Sequence, residues 1–174
     1  WGVADRHLDR ELRKRFPGLN ARQLHEAWSK EWDERHRLLL PSRFESMREQ
    51  AEASLYMALI CLHCGPTRDY VRRTLNAWYV EAERNVQAMP GASEVLRELR
   101  TSGYRIGIIT NADWDVVIPQ LKRAGLLKYI DYRIISSRIR SYKPHLRPFR
   151  EALRKSKLRP REIMVVGDNV ETDV

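Results

Sequence analysis

From residue 90 onward, short β-branched runs alternate with amphipathic segments, and that alternation admits few folds. Apolar residues at three- and four-residue spacing predict helices over Ala92–Thr101, Asp113–Ala124 and Leu146–Ser156. Between and after them, Tyr104–Ile109, Tyr132–Ile135 and Ile163–Val166 read as strands. Strands separated by helices cannot pair as hairpins, because a parallel neighbour needs a long crossover. The pattern predicts an α/β unit with a Rossmann-like parallel sheet, in which all strand ends lie along one edge.

Residues 1–89 show no strand pattern. Leu8–Phe16 reads as a helix stopped by Pro17-Gly18, and Asn20 is placed to cap a second helix with Leu24, Ala27, Trp28 and Trp32 on one face. Ser42 and Glu45 form a capping-box pattern opening a third helix that ends before Gly65-Pro66. Thr67 caps a fourth, striped by Val71, Leu75, Trp78, Tyr79 and Ala82. Four helices with short links predict a small bundle, so the chain divides into a helical part at 1–89 and an α/β part at 90–174.

Charge is uneven. Of the net +9, most comes from the second part, where eleven basic residues between Arg133 and Arg161 face one acid, Glu151. A solvated helix face is the plainer reading of such a run, and a surface for an anionic partner, nucleic acid included, is the alternative. No apolar run is long enough to span a bilayer and no signal-peptide pattern opens the chain, which leads to the expectation of a cytoplasmic protein. Cys61 and Cys64 make neither a disulfide framework nor a four-ligand zinc site, and read as small residues of the bundle.

Each predicted strand stops at polar residues. Thr110 and Asn111 follow the first, Ser136 and Ser137 the second with Lys143 in the loop beyond, and Asp168 and Asp173 follow the third. A hydroxyl, an ammonium and paired carboxylates along one sheet edge are the parts needed to hold a phosphoryl group beside a hard divalent cation.

The order Ile108-Ile109-Thr110-Asn111, then Ser136-Ser137 with Lys143-Pro144, then Val165-Val166-Gly167-Asp168 with Asp173, resembles motifs II, III and IV of the haloacid dehalogenase superfamily. The resemblance implies that residues 1–89 are the helical cap that one subgroup inserts between motifs I and II, and that the core is truncated at both ends of this chain. It implies a capped phosphatase acting on a small phosphorylated substrate through an aspartyl-phosphate, with cap opening and closing to exclude water. Thr110 and the Asn111 main chain would bind the transferring phosphoryl group, Lys143 would neutralise charge there, and Asp168 and Asp173 would serve a Mg²⁺ site. The acidic pair distinguishes this pattern from the dehalogenases of the same superfamily, which lack it.

Two departures stand out. The glycine usual shortly before the motif III lysine is replaced by Ile139-Arg140-Ser141-Tyr142. The nucleophile of motif I, the first Asp of an Asp-x-Asp after the first strand, has no counterpart before the helical part. Asp113-Trp114-Asp115 is the one Asp-x-Asp in the chain, and it reads as a helix cap. A non-catalytic binding protein with this fold is therefore the alternative from another class, and a 2-haloacid dehalogenase a third.

Overall fold

The computed structural model describes residues 3–38 and 44–173. They fall into two compact units, Trp1–Val86 and Gln87–Val174. The first contains α1 (Val3–Arg15), α2 (Ala21–Leu38), α3 (Met47–Cys61) and α4 (Arg68–Asn85). The second runs α5 (Ala92–Thr101), β1 (Gly107–Thr110), α6 (Trp114–Arg123), β2 (Tyr132–Ile135), α7 (Ser136–Ile139), α8 (Leu146–Ser156) and α9 (Val170–Asp173).

In the first unit α2 packs on α3, α1 on α4, and α3 on α4. Residues four apart on each helix supply the core: Leu8 and Leu12, Leu55 and Leu59, Val71 and Leu75, joined by Leu24, all between 0% and 2% exposed. Each fully buried leucine contributes about 2 kcal/mol relative to exposure. Trp28 and Trp78 pack half-buried against this core, and each finds a partner for its indole N–H. Trp28 donates to Ser54 Oγ at 3.0 Å and Trp78 to Asp5 Oδ1 at 3.1 Å.

The expected caps are present at Asn20, whose Oδ1 accepts from the Arg22 and Gln23 N–H groups, and at Thr67, which accepts from the Tyr70 N–H. The third helix departs from expectation. Ser42 lies outside the described residues, and the capping box forms instead between Ser46 and Glu49, at 3.2 and 2.7 Å. Ser-x-x-Glu occurs twice in this stretch, and spacing alone does not choose between the copies. Cys61 is exposed rather than buried, with Sγ 3.8 Å from Glu31 Oε1.

In the second unit β1 and β2 are parallel, with Gly107 opposite Tyr132 and Thr110 opposite Ile135. The glycine is needed there, since a Cβ would lie 2.0 Å from the Tyr132 ring. α8 lies against both strands through Pro148, Ala152 and Ser156, a stripe at four-residue spacing. β1 begins three residues later than its apolar pattern suggests. Ile106 donates its N–H to the Asp131 carboxylate at 2.7 Å, so a side chain takes the place of a ladder partner.

The third expected strand is not formed. The described sheet has two strands, and Ile163–Val166 carries no ladder; Met164 and Val166 are 86% and 88% exposed. Apolar β-branched character records a tendency to be a strand, but a strand exists only where a neighbour offers its N–H and C=O groups. Among the described residues, no helix is long and apolar enough to cross a membrane.

Candidate active site

The residues that end β1 and β2 are knitted together by short hydrogen bonds. Asn111, the residue after β1, donates from Nδ2 to the Lys143 carbonyl oxygen at 3.1 Å and accepts from the Lys143 N–H at 2.7 Å. Ser136 Oγ, at the start of α7, lies 3.1 Å from both Asn111 Oδ1 and the Thr110 carbonyl oxygen. Ser137 accepts the Trp114 N–H at 2.9 Å, which makes it a cap for α6. Asp113 occupies the N-cap position of α6 and is buried, but its side chain makes no capping bond to the helix. The expected cap is thus supplied by a serine from the other strand end, a role that no local spacing announces.

Lys143 Nζ donates to Asp173 Oδ1. The two side chains are 16% and 8% exposed, so the pair is largely removed from water. The hydrogen bond from Lys143 holds the Asp173 carboxyl below the usual aspartate range, opposed by burial and assisted by the Asn169 N–H, the lysine charge and the Thr172 hydroxyl. Asp173 is therefore an anion at neutral pH. Its position depends on Gly167, where a Cβ would fall 2.2 Å from Asp173 Oδ2.

After Asp168 the chain closes into the single turn α9. Asn169 caps it, its Oδ1 accepting the Glu171 and Thr172 N–H groups at 2.9 and 3.3 Å. Asp168 is exposed and makes no hydrogen bond or ion pair among the described residues. The structure thus joins Lys143 to Asp173 directly and to Asn111 through the main chain, with Thr110 ending the same strand, and leaves Asp168 unengaged.

As a donor set, Asp168 and Asp173 offer hard carboxylate oxygens. One or two carboxylates are what a protein usually gives Mg²⁺, the rest of the shell being water and substrate phosphate, so the chemistry of the pair fits that ion. Among the described residues no group of three or more His, Cys, Asp or Glu side chains is placed to hold a metal.

Arg140 resolves the departure noted before Lys143. It takes the left-handed conformation at φ 50°, the region where glycine is the default, and closes α7 there. Of the basic run, Arg154 pairs with Glu151, Arg159 with Glu162, and Lys155 donates to the Arg133 carbonyl oxygen.

Residues 12–174 match the family described as haloacid dehalogenase-like hydrolase. The chain is 28% identical over 109 residues to the phosphoglycolate phosphatase of Nitrosospira multiformis, covering 60% of this chain and 48% of that protein. It is 32% identical over 114 residues to the ribulose-1,5-bisphosphate 5-phosphatase of Halopiger xanaduensis, covering 65% and 48%. The chain thus spans about half the length of these curated relatives. Among solved structures, YfnB of Bacillus subtilis, bound to magnesium, superimposes with a TM-score of 0.70 at 16% identity, over 98% of this chain and 75% of that one. A dehalogenase and the L-2-haloacid dehalogenase of Xanthobacter autotrophicus share the same fold, with TM-scores of 0.69 and 0.65 at 21% and 20% identity.

Proposed function

Because this chain belongs to the haloacid dehalogenase-like hydrolase family, we propose that the protein is a Mg²⁺-dependent phosphatase of small phosphorylated metabolites. The observation that carries the proposal is the Lys143–Asp173 pair, held beside the end of β1 by Asn111. Named phosphatases among the relatives support the reaction class.

In this reading a carboxylate oxygen attacks phosphorus, an O–P bond forms, and the ester P–O bond breaks to release the alcohol, which takes up a proton. Water then attacks the aspartyl-phosphate, giving inorganic phosphate and restoring the carboxylate. The reading requires an attacking carboxylate from an Asp-x-Asp other than Asp113-Trp114-Asp115, since Asp113 is buried at a helix start. Thr110 offers its hydroxyl to a phosphoryl oxygen, and the Asn111 main-chain N–H is the second donor. Lys143 contributes a fixed positive charge, made less mobile by its bond to Asp173. Asp168 and Asp173 would hold Mg²⁺, which when bound supplies charge neutralisation on the phosphoryl oxygens. Residues 1–89 serve as the helical cap that selects the substrate and 90–174 as part of the core.

The acidic pair favours phosphate over halide chemistry in this reading. The test is release of inorganic phosphate from a panel of small phosphomonoesters by the protein at its native length. Asp168→Asn should raise the Mg²⁺ concentration needed for half-maximal rate, and Lys143→Ala should abolish turnover. Wild-type rates unaffected by either change would overturn the assignment.

A further inference from the structure

A phosphoryl group can be gripped from two sides only if the two gripping residues keep a fixed separation, and here the residues concerned come from chain segments 33 positions apart, Thr110 and Lys143. Lysine carries its charge on a flexible four-carbon stem; Asp173 holds the ammonium at its tip, and the main chain beneath it has to be anchored as well. Among the described residues the Asn111 side chain supplies that main-chain anchor. The Asn111 amide engages both main-chain groups of Lys143, donating to its carbonyl at 3.1 Å and accepting its N–H at 2.7 Å, as a neighbouring strand would. Ser136 Oγ, 2% exposed as a residue, touches the same Asn111 oxygen and the Thr110 carbonyl, both at 3.1 Å. An amide has two donors and two lone pairs; Lys143 takes one of each, and the single Ser136 hydroxyl proton is shared between the Asn111 oxygen and the Thr110 carbonyl.

We infer that the Asn111 side chain and Ser136 are positioning residues that fix Lys143 relative to Thr110. The inference rests on the phosphatase reading for its consequence, but not for its geometry. Asn111 adjoins Thr110 in the chain, so whatever holds the Asn111 amide to Lys143 also sets the gap between hydroxyl and ammonium. The Lys143 main chain itself opposes rotation of the amide, because turning it would set NH₂ against the Lys143 N–H and oxygen against the Lys143 carbonyl, and Ser136 adds a further contact to the Asn111 oxygen in that orientation.

The test is lysine acetylation followed by peptide mass spectrometry, on the native-length protein and on Asn111→Ala, Asn111→Asp and Ser136→Ala. In the wild type, Lys143 should react more slowly than Lys14, whose side chain is 65% exposed against 16% for Lys143. Asn111→Ala should raise the Lys143 rate about fivefold or more. Ser136→Ala should raise it less, and Asn111→Asp, which keeps the acceptor for the Lys143 N–H, should fall between. Rates at Lys14 and Lys122 should not change. In parallel, kcat should fall about tenfold to a hundredfold in Asn111→Ala with KM within about twofold. An unchanged Lys143 rate overturns the inference. So does an equal rise at all lysines, which would make Asn111 a determinant of the fold rather than of the lysine. A wild type that releases no phosphate from any ester would refute the phosphatase reading while leaving the acetylation result to stand or fall alone.

Discussion

Replacing Gly167 with alanine adds one methyl group at a place where the site has no room for it. The new Cβ would sit 2.2 Å from Asp173 Oδ2 and 2.6 Å from Asp173 Cβ. Carbon atoms in contact normally rest about 3.5–4.0 Å apart, so the deficit at Cβ is about 1 Å. A carboxylate oxygen can swing away, but Cβ is bonded to the main chain, and relief requires the α9 turn or residue 167 to move by a comparable distance. Displacements of about 1 Å at a reacting group cost on the order of a hundredfold in rate. Gly167→Ala is therefore expected to loosen the Lys143–Asp173 pair and to lower phosphate release about a hundredfold. The neighbouring residues Met164–Asn169 are exposed, so the same change should cost less than about 1 kcal/mol of stability. Gly18→Ala is the control, since nothing lies within 4 Å of its Cβ. Phosphate release, Lys143 acetylation and thermal melting separate the effects. Unchanged turnover and acetylation in a folded Gly167→Ala protein would refute the reasoning.

Leu55→Ala removes a fully buried side chain from the helical core and should destabilise that unit by about 2–5 kcal/mol in urea denaturation. Lys157 stands at φ 57° after α8 and is exposed, so Lys157→Gly should raise stability by about 0.5–1 kcal/mol, read as a higher melting temperature. The Asp131 carboxyl is held below its ordinary value first by the Ile106 N–H and next by Arg100 against burial. A carboxyl lowered in the native state contributes stability above its unfolded value of about 3.9 and loses it as pH falls through the native value. Asp131→Ala should thus cost about 1–2 kcal/mol at pH 7, and the gap to wild type should close as pH drops below about 3.9. A gap that persists in full at pH 2 would contradict this.

Helices were the most legible part of the sequence because their information is local. α5 and α8 have the bounds that their apolar spacing predicts, and Thr67 and Asn20 cap as their side chains allow. β2 also matches its run of β-branched residues, whereas Ile163–Val166 does not pair, because pairing depends on a second segment. The same distinction divides the site. Lys143 and Asp173 are visible as charged residues in loops, and their partnership across 30 positions is not. Asn111 drew notice for its main chain, yet its side chain does the tying. Ser136 and Ser137 looked like punctuation after a strand, and they prove to be a brace for Asn111 and a cap for α6. A hydroxyl's role is set by which acceptor or N–H the fold brings within 3 Å or so, and sequence spacing carries no such distance.

The most direct test of the account is product release measured side by side with and without metal. Native-length protein is given a panel of phosphomonoesters, and separately 2-chloropropionate, in the presence of Mg²⁺ and again after chelation. Phosphate release that requires Mg²⁺, with no chloride release, is the predicted result. Phosphate release indifferent to the metal would contradict the role given to Asp168 and Asp173, and chloride release that persists after chelation, without phosphate release, would contradict the phosphatase assignment itself.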